Sequence, residues 1–71
     1  MKLVVNGNDT EVSDNLNVTE LLTELEVKMP DMVTVELNGN ILDRQAFDAT
    51  PIKPGDKLEF LYFMGGGSRL P

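Results

Sequence analysis

The chain has 71 residues, with 12 acidic and six basic side chains, a net charge of -6, and neither cysteine nor histidine. This length allows one domain with a small core, and the missing cysteines and histidines exclude a disulfide framework and the usual structural zinc sites. The acidic balance disfavours nucleic-acid binding, which depends on basic side chains that release counterions, and favours an electropositive protein partner.

The same composition also limits the catalytic functions and the cellular location that we expect. Histidine and cysteine are the commonest general base, nucleophile and soft metal ligands, so an independent enzyme with its own metal or cofactor is not expected. No apolar run approaches the roughly 20 residues that cross a bilayer, and the first residues lack the basic and apolar regions of a secretory signal. The sequence therefore predicts a cytoplasmic protein that does not bind membranes.

The chain opens with a predicted β-hairpin. Lys2 to Asn6 is a short segment with an apolar, partly β-branched centre, and Asn6-Gly7-Asn8-Asp9 is a strong turn signal because asparagine and glycine tolerate positive φ. Residues 10–13 are predicted to form the returning strand. This hairpin is interpreted as scaffold.

A helix is predicted to follow the hairpin. Asn17 lies three residues before Glu20, the spacing of a capping box, so the helix is expected to begin at Val18. It must end before Pro30, because proline disfavours helical geometry in the residue ahead of it. Apolar residues at helical spacing predict the buried stripe Val18, Leu21, Leu22 and Leu25.

In the middle of the chain, the sequence predicts one strand and several short segments. Residues 32–37 alternate apolar and polar side chains, as in a strand buried on one face, and Asn38-Gly39-Asn40 ends that strand. Residues 41–42 resume an extended segment, residues 43–47 allow one helical turn, and Phe47 is predicted to fill the core. Residues 50–52 are interpreted as a brief edge segment, and residues 54–56 as a turn.

The last predicted strand runs from Lys57 to about Phe63. Leu58 and Phe60 are expected to pack inward, with Tyr62 on the same face. The other face becomes apolar toward the end of the strand, so a partner interface is predicted at Leu61, Phe63 and Met64. The alternative, that all of these side chains belong to the core, stays open.

The order of elements predicts an α+β fold. A hairpin and a crossover helix allow the last strand to pair beside the first, which gives a β-grasp with a mixed four- to five-stranded sheet on one main helix. Residues 1–64 are predicted to form this domain, and residues 65–71 a flexible glycine tail with an extension.

Three glycines follow the last strand directly. A run of glycines loses much conformational entropy when it becomes ordered and has no side chains to pack. We therefore expect Gly65, Gly66 and Gly67 to lie outside the folded body. A main chain without Cβ atoms fits a narrow channel in another protein. The alternative is an inert linker, since Gly-Gly-Gly-Ser is a common linker composition.

Several of these segments together resemble the ubiquitin-like sulfur-carrier proteins, the ThiS and MoaD group, and ThiS most closely. The resemblance covers residues 1–67 and includes the glycine run after the final strand. The matching motifs are Val5-Asn6-Gly7, Val18-Thr19-Glu20-Leu21-Leu22, Val33-Thr34-Val35-Glu36-Leu37-Asn38-Gly39 and Gly55-Asp56.

The resemblance implies that the chain is a protein substrate. An E1-like adenylyltransferase of the ThiF or MoeB type would use ATP and magnesium to activate a terminal glycine carboxylate, here Gly67 or, less favoured, Gly66. A sulfur donor would then displace AMP and leave a thiocarboxylate. Gly65, Gly66 and Gly67 would pass into the partner, and the implied sulfur acceptor is a thiazole synthase of thiamine biosynthesis or another acceptor enzyme.

The chain departs from the family pattern after Gly67, because Ser68-Arg69-Leu70-Pro71 follows. Similarity to carriers with masked tails implies cleavage between Gly67 and Ser68 by a JAMM-type metalloprotease. Such tails favour an alternative role in cysteine, homocysteine or methionine biosynthesis. Two further roles fit the same sequence, a ubiquitin-like protein modifier and a passive binding domain with an inert tail.

Overall fold

The structure, a computed structural model, describes residues 1–62. These residues form five strands, one α-helix and two 3₁₀ segments. The strands are β1 (Lys2–Val5), β2 (Asn8–Glu11), β3 (Val33–Leu37), β4 (Asn40–Ile41) and β5 (Lys57–Tyr62). The helix α1 spans Val18–Glu24, and the 3₁₀ segments span Pro30–Met32 and Arg44–Ala49.

The strands form one mixed sheet in the order β2-β1-β5-β3-β4. β5 runs parallel to β1 and antiparallel to β3, while each outer strand pairs antiparallel with its neighbour. The predicted α+β fold, a ubiquitin-like β-grasp with one main helix, is confirmed, and the sheet has five strands. The predicted division of the chain at residue 64 lies outside the described residues.

Two tight turns set the register of the outer strands. Asn6 and Gly7 join β1 to β2 with φ of 51° and 84°, and Asn38 and Gly39 join β3 to β4 with φ of 53° and 89°. Two successive positive φ angles match the right-handed twist of paired strands, and asparagine followed by glycine adopts them at low cost. The sequence predicted both turns, although Asn8 already belongs to β2.

The core lies between α1 and one face of the sheet. Its eleven buried apolar side chains come from every strand except β2 and β4, from α1, from the second 3₁₀ segment and from two connections. They are Leu3, Val5, Val12, Val18, Leu21, Leu22, Val33, Val35, Phe47, Ile52 and Leu58. The predicted helix stripe and the burial of Phe47 are confirmed, with Leu25 only partly buried.

Two short segments differ from the sequence prediction. Residues 50–52, predicted as a brief edge segment, form a single bridge between Pro51 and Asn17, because their backbone pairs with the segment that leads into α1 and not with a strand of the sheet. The helical turn expected over residues 43–47 is a longer 3₁₀ segment, Arg44–Ala49. The Thr50 hydroxyl donates to the Ala46 carbonyl at 2.7 Å and so satisfies a carbonyl near the end of that segment.

Asn17 caps α1 as the sequence predicts. Its Oδ1 accepts from the Glu20 amide at 2.7 Å, and a Glu20 carboxylate oxygen accepts from the Asn17 amide at 2.9 Å. We expect Asn17→Ala to lower the free energy of unfolding by about 1 kcal/mol, because it leaves the Glu20 amide without its side-chain acceptor. Urea denaturation measures the change. Asn17→Ser keeps an acceptor and is the control; equal losses in both variants would contradict the capping role.

The amino group of Met1 lies between two carboxylates. Its nitrogen is 3.1 Å from Asp14 and 3.3 Å from Glu11, and it also donates to the Val12 carbonyl. The hydrogen bond to Asp14 raises the pKa of the Met1 ammonium above its usual 8.0; burial opposes the rise and Glu11 adds to it. The charged form is therefore favoured in the folded state.

The raised pKa of Met1 predicts a loss of stability in alkaline solution. A folded-state pKa above the unfolded value gives stability that is complete below about pH 8 and declines as the pH rises through the folded pKa. Urea midpoints measured between about pH 7 and about pH 10 test this. Asp14→Asn removes the largest cause and should flatten the decline; an equally steep decline in that variant would contradict the assignment.

Within residues 1–62, no helix is long and apolar enough to span a membrane.

Candidate functional site

The candidate site begins where β5 ends at Tyr62, because the glycine tail follows this strand in the sequence after Phe63 and Met64. β5 is the middle strand of the five, with β1 on one side and β3 on the other. Its pairing with β3 continues to the last described residue, where Tyr62 lies opposite Val33. The chain therefore leaves the sheet from its best-anchored strand.

Side-chain hydrogen bonds strengthen this anchor at two points. The side-chain Oδ1 of Asn6 accepts from the Phe60 backbone amide at 2.8 Å, while the backbone N–H of Asn6 donates to the Leu58 carbonyl at 2.9 Å. The Tyr62 hydroxyl donates to the Lys28 carbonyl at 2.8 Å. These contacts fix the end of β5, from which the chain continues beyond Tyr62.

The two faces of β5 differ. Leu58 is fully buried, and Phe60 and Tyr62 pack against the core from the same face, as predicted. Leu61 is half-buried on the opposite face, beside Thr34 of β3, and is not part of the core. It lies on the face that α1 does not cover. A partner interface there remains a prediction.

Two glutamates lie near Leu61 on the outer face of the sheet, with Lys57 on the same face of β5. Glu36 and Glu59 are direct cross-strand neighbours on β3 and β5, and like charges in this position destabilise a sheet. Neither glutamate belongs to an ion pair among the described residues. This arrangement fits the expectation of an electropositive partner.

The remaining predicted site residues lie outside the described residues. They are Phe63 and Met64 of the predicted interface, the tail glycines Gly65, Gly66 and Gly67, and Ser68 of the predicted processing site. Within residues 1–62, no group of three or more acidic side chains is arranged to hold a metal ion.

Two contacts near the site have no counterpart in the sequence prediction. The sequence indicates Asn6 only as a turn residue, although it also holds β5 through Phe60. Strand alternation places Tyr62 on the inner face, but its bond to Lys28 depends on the path of the chain after α1. Both contacts join residues far apart in sequence, so local patterns carry no signal for them.

A family comparison decides which group the chain belongs to. The ThiS family model matches residues 3–67, which is nearly the whole chain. The chain belongs to the ThiS family. The resemblance seen in the motifs is thereby confirmed, and the match ends at Gly67, immediately before the four-residue extension.

Two solved structures from Geobacter metallireducens support the ThiS assignment. A crystal structure described as thiamine biosynthesis protein (ThiS) has 59% sequence identity and a TM-score of 0.87, covering 94% of this chain and 100% of that chain. A solution NMR structure of a thiamine biosynthesis protein has 56% identity and a TM-score of 0.78, covering 100% of this chain and 94% of that chain.

A longer relative contains a ThiS-like segment. The thiazole synthase of Paramagnetospirillum magneticum is 41% identical to this chain over 68 residues, or 96% of this chain. The chain spans only 21% of the length of that protein.

Proposed function

We propose that this chain is a sulfur carrier of thiamine biosynthesis, which bears sulfur as a thiocarboxylate on Gly67 and donates it for thiazole formation. The observation that carries the proposal is the ThiS family match, which extends through the glycine run and ends at Gly67. The Geobacter metallireducens structures, both described as thiamine biosynthesis proteins, support the same pathway.

The chemistry proposed for Gly67 requires activation by another protein. A free carboxylate resists nucleophilic attack, so an E1-like adenylyltransferase would join it to AMP from ATP with release of pyrophosphate. A sulfur nucleophile then attacks the carbonyl carbon, a C–S bond forms, and AMP leaves with the electrons of the broken C–O bond. The adenylyltransferase supplies the electrostatic stabilisation and the magnesium.

In this proposal the chain is a substrate and not a catalyst. The folded body presents the tail, and Gly65 to Gly67 form a main chain narrow enough for a confined active site. Leu61, Phe63 and Met64 are proposed to contact the adenylyltransferase beside the entrance of that site. The acidic pair on the outer face of the sheet, Glu36 and Glu59, would favour a basic surface on the partner.

The proposed sulfur acceptor is a thiazole synthase. A segment similar to this chain makes up about a fifth of one thiazole synthase. Covalent linkage raises the effective concentration of two domains that act on each other, so such a fusion fits a carrier and its acceptor enzyme. This chain would meet the acceptor as a separate protein or as a neighbouring domain.

The extension Ser68-Arg69-Leu70-Pro71 must be removed before this chemistry. We expect the protein isolated from its native cells to end at Gly67 when growth depends on thiamine synthesis, because a carboxylate on Pro71 cannot become a glycine thiocarboxylate. Mass spectrometry of the intact protein tests this. Finding only the form that ends at Pro71 would contradict processing, including cleavage by the proposed JAMM-type metalloprotease.

One observation favours a second candidate function. The masked tail is typical of carriers that supply sulfur to cysteine, homocysteine or methionine synthesis, as the family resemblance implies. Cells lacking the gene distinguish the two roles: the thiamine carrier predicts a requirement for the thiazole moiety, and the alternative predicts a requirement for a sulfur amino acid.

A further inference from the structure

A groove of about 400 Å³ lies beside the end of α1 and is not part of the site described above. Buried Leu22 and Phe47 and half-buried Val27 supply its apolar surface. The exposed carboxylates of Glu26 and Asp31 also line it. An apolar surface next to acidic groups suits a segment that combines an aliphatic side chain with a cation.

Arg44 forms one wall of the groove and is held in place by the backbone. Its guanidinium donates to the Pro30 carbonyl at 2.7 Å and to the Val33 carbonyl at 2.8 Å, and it lies 5.5 Å from the centre of the Phe47 ring. The two carboxylates outnumber this single guanidinium. The groove therefore keeps an acidic character that favours a cationic occupant.

The groove lies next to the point where the described chain ends. Val33, whose carbonyl binds Arg44, is the cross-strand neighbour of Tyr62. The Tyr62 hydroxyl binds the carbonyl of Lys28, which directly follows Val27 of the groove. Neighbouring strands are separated by about 4.8 Å, so the wall of the groove is within a few strand spacings of Tyr62.

The chain beyond Tyr62 has the length and the side chains to reach this groove. Residues 63–68 span up to about 20 Å when extended, and the three glycines allow the backbone to reverse direction. The extension then offers Arg69 as its only charged side chain and Leu70 as an adjacent aliphatic one. This pairing complements the acidic and apolar surfaces of the groove.

We propose that the extension docks into this groove, with Leu70 against Leu22, Val27 and Phe47 and with Arg69 beside Glu26 and Asp31. Docking would hold the tail against the body of the same molecule. The docking itself is independent of the proposed function. Its consequence is that the tail must leave the groove before cleavage after Gly67 and before activation. This consequence rests on the proposed sulfur-carrier function.

Paramagnetic relaxation in the full 71-residue chain tests the docking directly. The chain has no cysteine, so Ser68→Cys gives one site for a nitroxide label. We expect the amide signals of Thr23, Val27 and Asp31 to lose intensity, and to recover much of it when Leu70→Ser is added. Equal intensity losses with and without Leu70→Ser would overturn the proposal.

A charge exchange in the labelled chain provides the second test. Glu26→Lys should reduce the intensity loss at the groove, and adding Arg69→Glu should restore it by re-forming an ion pair of opposite polarity. Glu59→Lys, which makes the same charge change on the opposite face of the sheet, is the matched control and should have no effect. An effect of Glu59→Lys as large as that of Glu26→Lys, or no restoration by the exchange, would overturn the proposal.

The amide spectra show in the same samples whether each variant is folded, and Asp31→Lys replaces Glu26→Lys if that variant unfolds. No adenylyltransferase, sulfur donor or protease is present in these experiments. A negative result therefore removes the docking and leaves the proposed sulfur-carrier function untouched.

Discussion

Replacing Leu58 with alanine is expected to lower the free energy of unfolding by roughly 3 to 5 kcal/mol. Leu58 is fully buried in the middle strand of the sheet, where it is the register partner of Val5 on β1 and of Leu37 on β3. The substitution removes apolar contacts and leaves a cavity that rigid neighbouring strands cannot close. A chain of this size has a total stability of about 4 to 10 kcal/mol, so much of the protein would unfold.

Urea denaturation followed by circular dichroism measures the effect of Leu58→Ala. Ile41→Ala is the matched control, because Ile41 is also an aliphatic strand residue but is 65% exposed. Its expected change is within about 0.5 kcal/mol. A loss below about 1 kcal/mol for Leu58→Ala would contradict the position of β5 at the centre of the core.

Gly66→Ala is expected to slow adenylation of the chain that ends at Gly67 by roughly 10- to 100-fold, while its urea midpoint stays unchanged. The reason is steric: a Cβ atom beside the reacting glycine would meet the walls of a confined active site and displace the carboxylate. Pyrophosphate release with the adenylyltransferase and ATP measures the rate.

Ile41→Ala also serves as the control for Gly66→Ala, because it shortens an exposed side chain outside the core and should leave the adenylation rate unchanged. An unchanged rate in Gly66→Ala would contradict the proposed passage of the tail through a narrow channel. A lower urea midpoint in that variant would contradict the separation of the tail from the folded body.

Much of the fold follows from local sequence patterns. The Asn-Gly turns, the Asn17 capping box and the alternation in β3 each depend on residues close together in the chain, and the structure has all of them. The order of elements then constrains the sheet, because α1 crosses from β2 to β3 on the other side of the sheet, and β5 occupies the place between β1 and β3.

Contacts between segments that are distant in the sequence cannot be predicted from local sequence patterns. The sequence does not show that Asn6 holds Phe60, that Arg44 reaches the carbonyl of Val33, or that Ile52 is drawn into the core. Each contact depends on how segments that are distant in the sequence pack against one another. Local patterns therefore predict a brief edge segment at residues 50–52, whereas the structure pairs this segment with the residues before α1 through one bridge, between Pro51 and Asn17.

The candidate site also has a part that local sequence patterns predict and a part that they do not. The sequence predicts Leu58 and Phe60 inward and Leu61 outward, because side chains alternate along a strand. The assignment of Gly67 comes from the family resemblance and not from periodicity, since a glycine run has the same composition in a linker and in a carrier. The ThiS family match through residue 67 supports the carrier.

The intact mass of the chain that ends at Gly67 tests the central claim most directly. After incubation with an E1-like adenylyltransferase, ATP, magnesium and a sulfur donor, the sulfur-carrier proposal predicts a gain of about 16 Da, because sulfur replaces one carboxylate oxygen. An unchanged mass, in a reaction that converts the ThiS protein of Geobacter metallireducens in parallel, would contradict it.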